Sequence, residues 1–195
     1  GHYDLIIAEP SNPWLTGVSN LFTKEYFEMG KTKLKKGGIW SQWIQIYGMD
    51  TQDLRSLLGT FSDAYPYVHL FSTISDADLV LVGSEEPLEL DLASFQAQID
   101  SNPKLRASLL DIGIDSATDI LARFRLDRAK IQELSDGVER NTDDNMRVEY
   151  SAPLNLYTWT GDENVLMLDE SVGKVPLVPY EATSGADGLI ALAKS

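Results

Sequence analysis

The run Leu5-Ile6-Ile7-Ala8 is broken almost at once by Glu9-Pro10-Ser11-Asn12-Pro13-Trp14, and this break constrains the fold more than any other feature. Four consecutive apolar residues of this kind make a short strand buried on both faces, as in a parallel sheet. Pro10 and Pro13 cannot continue such a strand, and they push Glu9 and Asn12 into extended or turn geometry. Polar groups at the carboxyl end of a parallel strand lie where open α/β sheets bind their ligands. The chain is therefore expected to reach a functional site within its first dozen residues. Gly1-His2 reads as an expression remnant, so the native amino terminus is expected elsewhere.

An α/β order follows. A helix is predicted from Asn20 to Lys35, ended by Gly37-Gly38, and a second strand from Ile39 to Ile46. Asp50 or Thr51 can cap a helix running to Tyr65, with Leu54, Leu57, Leu58 and Phe61 at helical spacing. Val68–Ile74 and Leu79–Val82 are two more strands, and their short connection makes them an antiparallel pair. From Leu90 the spacing changes to short helices around Leu92–Ile99, Leu105–Leu110, Ile120–Phe124 and Ile131–Leu134. Arg147–Tyr150 is predicted as a short strand, 161–185 as an extended tail and Gly188–Lys194 as a last helix. The expected organisation is a partial α/β domain over 1–87, a helical extension with a short strand over 88–160, and the tail over 161–195.

Composition narrows the function classes. Thirty acids against sixteen bases give a net charge of −14 over 195 residues. Phosphate binding needs clustered cations, so nucleic acid is a poor partner. The basic cluster Lys31, Lys33, Lys35 and Lys36 falls at the predicted helix end, where cations meet the dipole favourably. With no cysteine there is no disulfide, thiolate metal site or cysteine nucleophile. No run of ~18 apolar residues is present to span a bilayer.

Tyr3-Asp4-Leu5-Ile6-Ile7-Ala8-Glu9-Pro10-Ser11-Asn12-Pro13, followed by Leu21-Phe22-Thr23-Lys24-Glu25-Tyr26-Phe27, resembles the spermidine synthase family. Those aminopropyltransferases carry an Asp-Ser-Ser-Asp-Pro loop after a strand and a Leu-Phe-Thr-x-Glu-Phe-Tyr helix start. Gly37-Gly38-Ile39 and Gln42 look like the family's next strand and its substrate-facing glutamine. Asn141-Thr142-Asp143-Asp144 and Arg147-x-Glu149-Tyr150 are similar to segments of bacterial spermidine-synthase-like proteins, many of them fused to transporter-like segments. The resemblance implies an α/β fold: the carboxyl-terminal half of a doubly wound, methyltransferase-like sheet with an antiparallel last strand, plus a small helical extension.

It also implies roles. Glu9 stands at the family's catalytic aspartate as base or orienter, and Asn12 at its second carboxylate. Gln42, Trp14 and Tyr47 are the further substrate contacts, with Pro10 and Ser11 on the cofactor side. The implied reaction is alkyl or aminopropyl transfer from S-adenosylmethionine or its decarboxylated form to an amine such as a polyamine. The glycine-rich nucleoside loop is missing from the sequence, so these residues alone are expected to hold no cofactor and to be inactive. The expected partners are an amino-terminal half, or a second copy pairing along the strand at 4–8 in a homodimer. The expected setting is the cytoplasm, including as the soluble part of a membrane-attached protein. The alternative is a non-catalytic binding or regulatory module of a transporter fusion.

Each assignment has a structural alternative. Glu9 can simply accept backbone N–H bonds in its loop, and Asn12-Pro13 is a good turn former. Gln42 lies among apolar neighbours and needs a partner of any kind. Trp14, Trp43 and Tyr47 suit a core as well as a pocket. Asp143 and Asp144 read as solvated turn acids, and no metal site is expected. His69 on its strand reads as structural.

Overall fold

A computed structural model describes residues 1–73 and 77–171. The described residues divide into two compact units, one of residues 1–88 with 125–171 and one of residues 89–124. The expected single extension over 88–160 is thus split, and its second part joins the first unit. The predicted helix Gly188–Lys194 lies outside the described residues.

The first unit is an open five-stranded sheet in the order β1-β2-β4-β3-β5. Its strands are β1 (Tyr3–Ala8), β2 (Leu34–Gln45), β3 (Tyr67–Ser72), β4 (Asp78–Ser84) and β5 (Phe124–Asp127). β1 and β2 run parallel, while β4 inserts between β2 and β3 antiparallel to both. The mixed α/β sheet with an antiparallel last hairpin agrees with the expected fold class.

Residues paired across strands share a face, which divides the sheet cleanly. Trp40, Ile44, Leu70, Leu79 and Leu81 form one face and are buried. α1 (Lys24–Lys31) and α2 (Thr51–Ala64) cover it, with Phe27 edge-on to both Trp40 and Phe61. Ten of the fourteen residues of α2 are buried, so packing and not propensity holds this helix. Its Asp50 cap accepts from Asp53 N at 2.9 Å, as the sequence indicates. The opposite face, with Ile39, Trp43, Val80 and Val82, is half-buried. At the sheet edge Leu5 and Ile7 are 51% and 69% exposed.

Several elements depart from expectation. The helix predicted over 20–35 is a 3-10 turn (Ser19–Phe22) and α1, separated by Thr23 in extended geometry as the N-cap. It ends at Lys31 because β2 begins at Leu34 and takes up Lys35 to Gly38, so Gly37-Gly38 stop no helix. The pairing jumps from Tyr3↔Leu34 to Leu5↔Ile39, leaving extra residues on β2 that bulge at Gly37, φ +72°. Lys35 and Lys36 consequently pair with Asp4 at 2.8 Å and Glu86 at 3.5 Å instead of meeting a helix dipole.

The predicted helix around Ile120–Phe124 ends at Leu121, and Phe124 opens β5. Arg147–Tyr150 is not a strand but the helix α7 (Arg147–Ser151), and 161–171 is not extended but the helix α8 (Gly161–Ser171). α8 is held by the buried Asn164, whose Nδ2 donates to the Ile46 and Met49 carbonyls at 2.7 and 2.9 Å. Such long-range bonds are invisible to local periodicity. α6 (Arg128–Leu134) follows β5, capped by Asp127. In the second unit lie α3 (Leu92–Ser101), α4 (Pro103–Asp111) and α5 (Ala117–Leu121), the last begun by a Ser116/Asp119 capping box.

Asn141 is the most connected buried polar residue described. Its Nδ2 donates to the Ser19 and Phe22 carbonyls at 3.4 and 3.2 Å, and Val148 N donates to its Oδ1 at 3.1 Å. Its own N–H reaches Thr60 Oγ1 at 2.8 Å, and its carbonyl accepts from Lys24 N at 3.0 Å. Replacing Asn141 by Ala strands several buried groups at once. We expect Asn141→Ala to cost about 3–5 kcal/mol, read as a lower urea midpoint with an unchanged slope.

Candidate functional site

Parallel strands β1 and β2 end on the same side of the sheet, and the segments leaving them carry the residues singled out by the sequence. Glu9 directly follows β1 and is exposed. It lies close enough to Asp78, the first residue of β4, to act on it electrostatically. Burial pushes the Asp78 carboxyl above its usual range, its hydrogen bond with Trp43 pulls it down, and the Glu9 charge pushes it up again. Asp78 and Trp43 are thus hydrogen-bonded at this end of the sheet, within the electrostatic reach of Glu9. Asp78 escaped the sequence reading because it sits in a hairpin, far along the chain from Glu9.

The loop after Glu9 is ordered by its own turn chemistry. Pro10 is half-buried, Ser11 is exposed and Pro13 is buried. Leu15 N donates to the Asn12 carbonyl at 3.1 Å, so Asn12 serves the turn through its backbone while its half-buried side chain is not fixed by that bond. Trp14 meets Tyr47 edge-on, with ring centres 6.4 Å apart. Beneath Trp14 lies Gly48, at φ +70°, where a Cβ would come within 2.5 Å of the indole. Only glycine satisfies both the backbone and the ring there.

Gln42 departs from its expected substrate-facing position. It is fully buried on the face covered by α1 and α2, with Trp40 Nε1 donating to its Oε1 at 3.1 Å. Its Nε2 donates to the Trp43 carbonyl at 3.3 Å. Ala8 pairs with Gln42, so strand alternation sends this side chain to the helix-covered face while Trp43 takes the other. The structure therefore joins Asp78 to Trp43 within the field of Glu9, and Trp14 to Tyr47, but turns Gln42 inward.

A second polar group lies at the start of α2, and the sequence reading missed it. Asp53 is fully buried, accepts a hydrogen bond from Ser151 Oγ and stands 3.7 Å from an Arg147 guanidinium nitrogen. Arg147 also approaches Glu139 at 3.7 Å, while Asn155 Nδ2 donates to Asp50 at 3.3 Å. Glu149, on the same helix as Arg147 and Ser151, accepts from Gly17 N at 3.1 Å and so ties α7 to the loop after β1. The second oxygen of Asp53 has no hydrogen-bond partner. Burial pushes its carboxyl up to about 6, with Asp50 adding to the rise and Ser151 and Arg147 opposing it. Only tertiary folding reveals this group, since α7 was read as a strand.

Among the described residues no group of three or more His, Asp or Glu is placed to hold a metal ion. Among the same residues no helix is long and apolar enough to cross a membrane. His69 is held below its usual range by burial, with Asp127 opposing, and stays on its strand as a structural residue.

No protein-family model matches the chain. No curated protein matches it either. Among solved structures it is similar to a probable spermidine synthase from Corynebacterium glutamicum ATCC 13032, at 17% identity and a TM-score of 0.45. That match covers 72% of this chain and 47% of the other, so the chain spans about half the length of that protein.

The Asp53 carboxyl gives a directional pH prediction. In the folded chain it holds its proton to about pH 6, against an unfolded value of 3.8. Its stabilising contribution is therefore complete below pH 4 and is lost as pH rises through 6, by at most about 3 kcal/mol. Asp53→Asn removes this loss. Urea unfolding at pH 4.5 and 7.5 should show the variant gaining on the parent by about 1–3 kcal/mol between the two. An equal difference at both values would mean that the carboxyl titrates normally.

Proposed function

We propose that these residues form part of a spermidine-synthase-like transferase domain. It moves an alkyl or aminopropyl group from S-adenosylmethionine, or its decarboxylated form, to an amine such as a polyamine. The observation that carries the reading is Glu9: an exposed carboxylate at the end of a parallel strand, with Asp78 within its electrostatic reach. It stands in the segment whose sequence resembles that family.

In this chemistry the amine nitrogen attacks the carbon attached to the sulfonium, the C–S bond breaks and a neutral thioether leaves. The nitrogen gives up a proton, which a carboxylate can accept. Glu9 is placed to orient the amine and take that proton, and the Asp78 charge keeps a cationic acceptor close. Trp14 and Tyr47 supply apolar surface next to the loop, and Asn12 a neutral hydrogen-bonding group. Pro10 and Ser11 stand on the cofactor side.

The nucleoside site belongs to further sheet beyond β1, supplied by an amino-terminal half of the same domain or by a second copy in a homodimer. The exposed Leu5 and Ile7 on an edge strand support such pairing. The setting that fits is the cytoplasm, whether the domain is free or part of a membrane-attached protein. A second reading, a non-catalytic binding or regulatory module of a transporter fusion, is favoured by one observation: Gln42 is buried and engaged with Trp40 and Trp43.

Titration calorimetry on the full-length protein distinguishes the two. The transferase reading expects heat with decarboxylated S-adenosylmethionine or with its thioadenosine product. It also expects Glu9→Gln to lower turnover about 100-fold while nucleoside affinity stays within threefold of the parent. Absence of heat with every S-adenosyl compound leaves the module reading.

A further inference from the structure

α7 continues through a 3-10 turn (Ala152–Asn155) into Leu156, which keeps helical geometry, so residues 147–156 form one helical segment of mixed pitch. Its inner face is set by Val148 and Ala152, both fully buried. Tyr150 and Leu154 lie away from those two residues, and Tyr157 and Trp159 follow in the turn after the segment. Tyr150, Leu154 and Tyr157 are 71%, 81% and 99% exposed, and Trp159 is 93% exposed. Soluble surfaces rarely leave so many large apolar side chains adjacent and bare.

The segment is not loosely tethered. Ser151 bonds Asp53, Asn155 bonds Asp50, and the chain is clamped again at Asn164 on the Ile46 and Met49 carbonyls. The backbone that carries these side chains is thus held at both ends, which lowers the cost of ordering it on binding. Three aromatics and a leucine at these exposures offer about 500–700 Å², close to the roughly 800 Å² per partner of a standard interface.

Charge decides what covers it. Between Asp143 and Glu170 the sequence holds seven acids and one base. Glu149 adjoins Tyr150, while Asp162 and Glu163, both exposed, follow Trp159. The lone base of that stretch, Arg147, is turned to Asp53 and Glu139, and Arg125 of β5 pairs with Asp169 at 2.9 Å, which takes one of the seven acids out of the rim. A second copy would bring two acidic rims together, and an anionic lipid surface would repel them. We propose that the Tyr150–Leu154–Tyr157–Trp159 stripe is a docking surface for a basic amphipathic helix of another protein, apolar at its centre and rimmed by Lys or Arg. The surface is independent of any transferase activity, since it uses none of the residues assigned to that reaction.

The test uses the full chain and two synthetic 14-residue amphipathic helices with the same leucine face, one rimmed with Lys and one with Glu. Calorimetry in physiological salt should show the Lys-rimmed peptide binding at least tenfold more tightly than the Glu-rimmed one. The Leu154→Ser/Tyr157→Ser variant changes only exposed side chains. It should melt with the parent and lose at least tenfold in affinity for the Lys-rimmed peptide. Equal binding by parent and variant would reduce the attraction to bulk charge and overturn the proposal. So would a dimer in sedimentation that the variant dissolves, or stripe-dependent binding to phosphatidylcholine vesicles.

Discussion

One buried amide organises this chain. Asn141 uses its side-chain oxygen and amide, its own N–H and its own carbonyl, and each of these four groups reaches a different element. It joins the turn before α1, the start of α1, the middle of α2 and the start of α7. In a low-dielectric interior such bonds are strong when all are made and costly when any is missing. The loop after β1 packs Trp14, Val18 and Phe22 on the core, and Asn141 adds hydrogen bonds that fasten its far end. The candidate site depends on that fastening, because Glu149 reaches Gly17 only when α7 is in place.

The site has two unlike neighbourhoods. Glu9 is exposed, and its charge acts on Asp78, a half-buried carboxyl that bonds Trp43. Around Asp53 a carboxyl is sealed under α7 with one oxygen unanswered. A fold optimised only for stability would replace such a group with something apolar. Its retention at the start of α2, where it holds Ser151 and faces Arg147, accords with sites that keep strain for the sake of geometry.

Much of the sheet was legible because its signals are local. β1 ends where the prolines require, α2 starts on Asp50, and the β3–β4 hairpin follows from two apolar runs with a short join. What escaped was set by distant partners. β2 begins five residues early because β1 recruits Leu34 as well as Ile39, absorbing Lys35–Gly38 in a bulge. Arg147–Tyr150 has the alternation of a strand, yet burial of Val148 and Ala152 at a spacing of four makes it a helix. Gln42 kept its polar character but lost its expected direction, since period-two alternation assigns it to the covered face. Of the site, Glu9 was readable from its strand end, whereas Asp78 and Asp53 were not. Their neighbours come from other parts of the chain.

The bare margin of β1 has a consequence for handling the protein. Leu5 and Ile7 project beside unpaired backbone, which is the template on which cross-β stacks elongate. Asp4, held by Lys35, places an ion pair near the start of that margin and acts as a gatekeeper against runaway growth. Neutralising that single pair, by acid or by high salt, is the condition under which concentrated solutions of this chain will be most prone to gel.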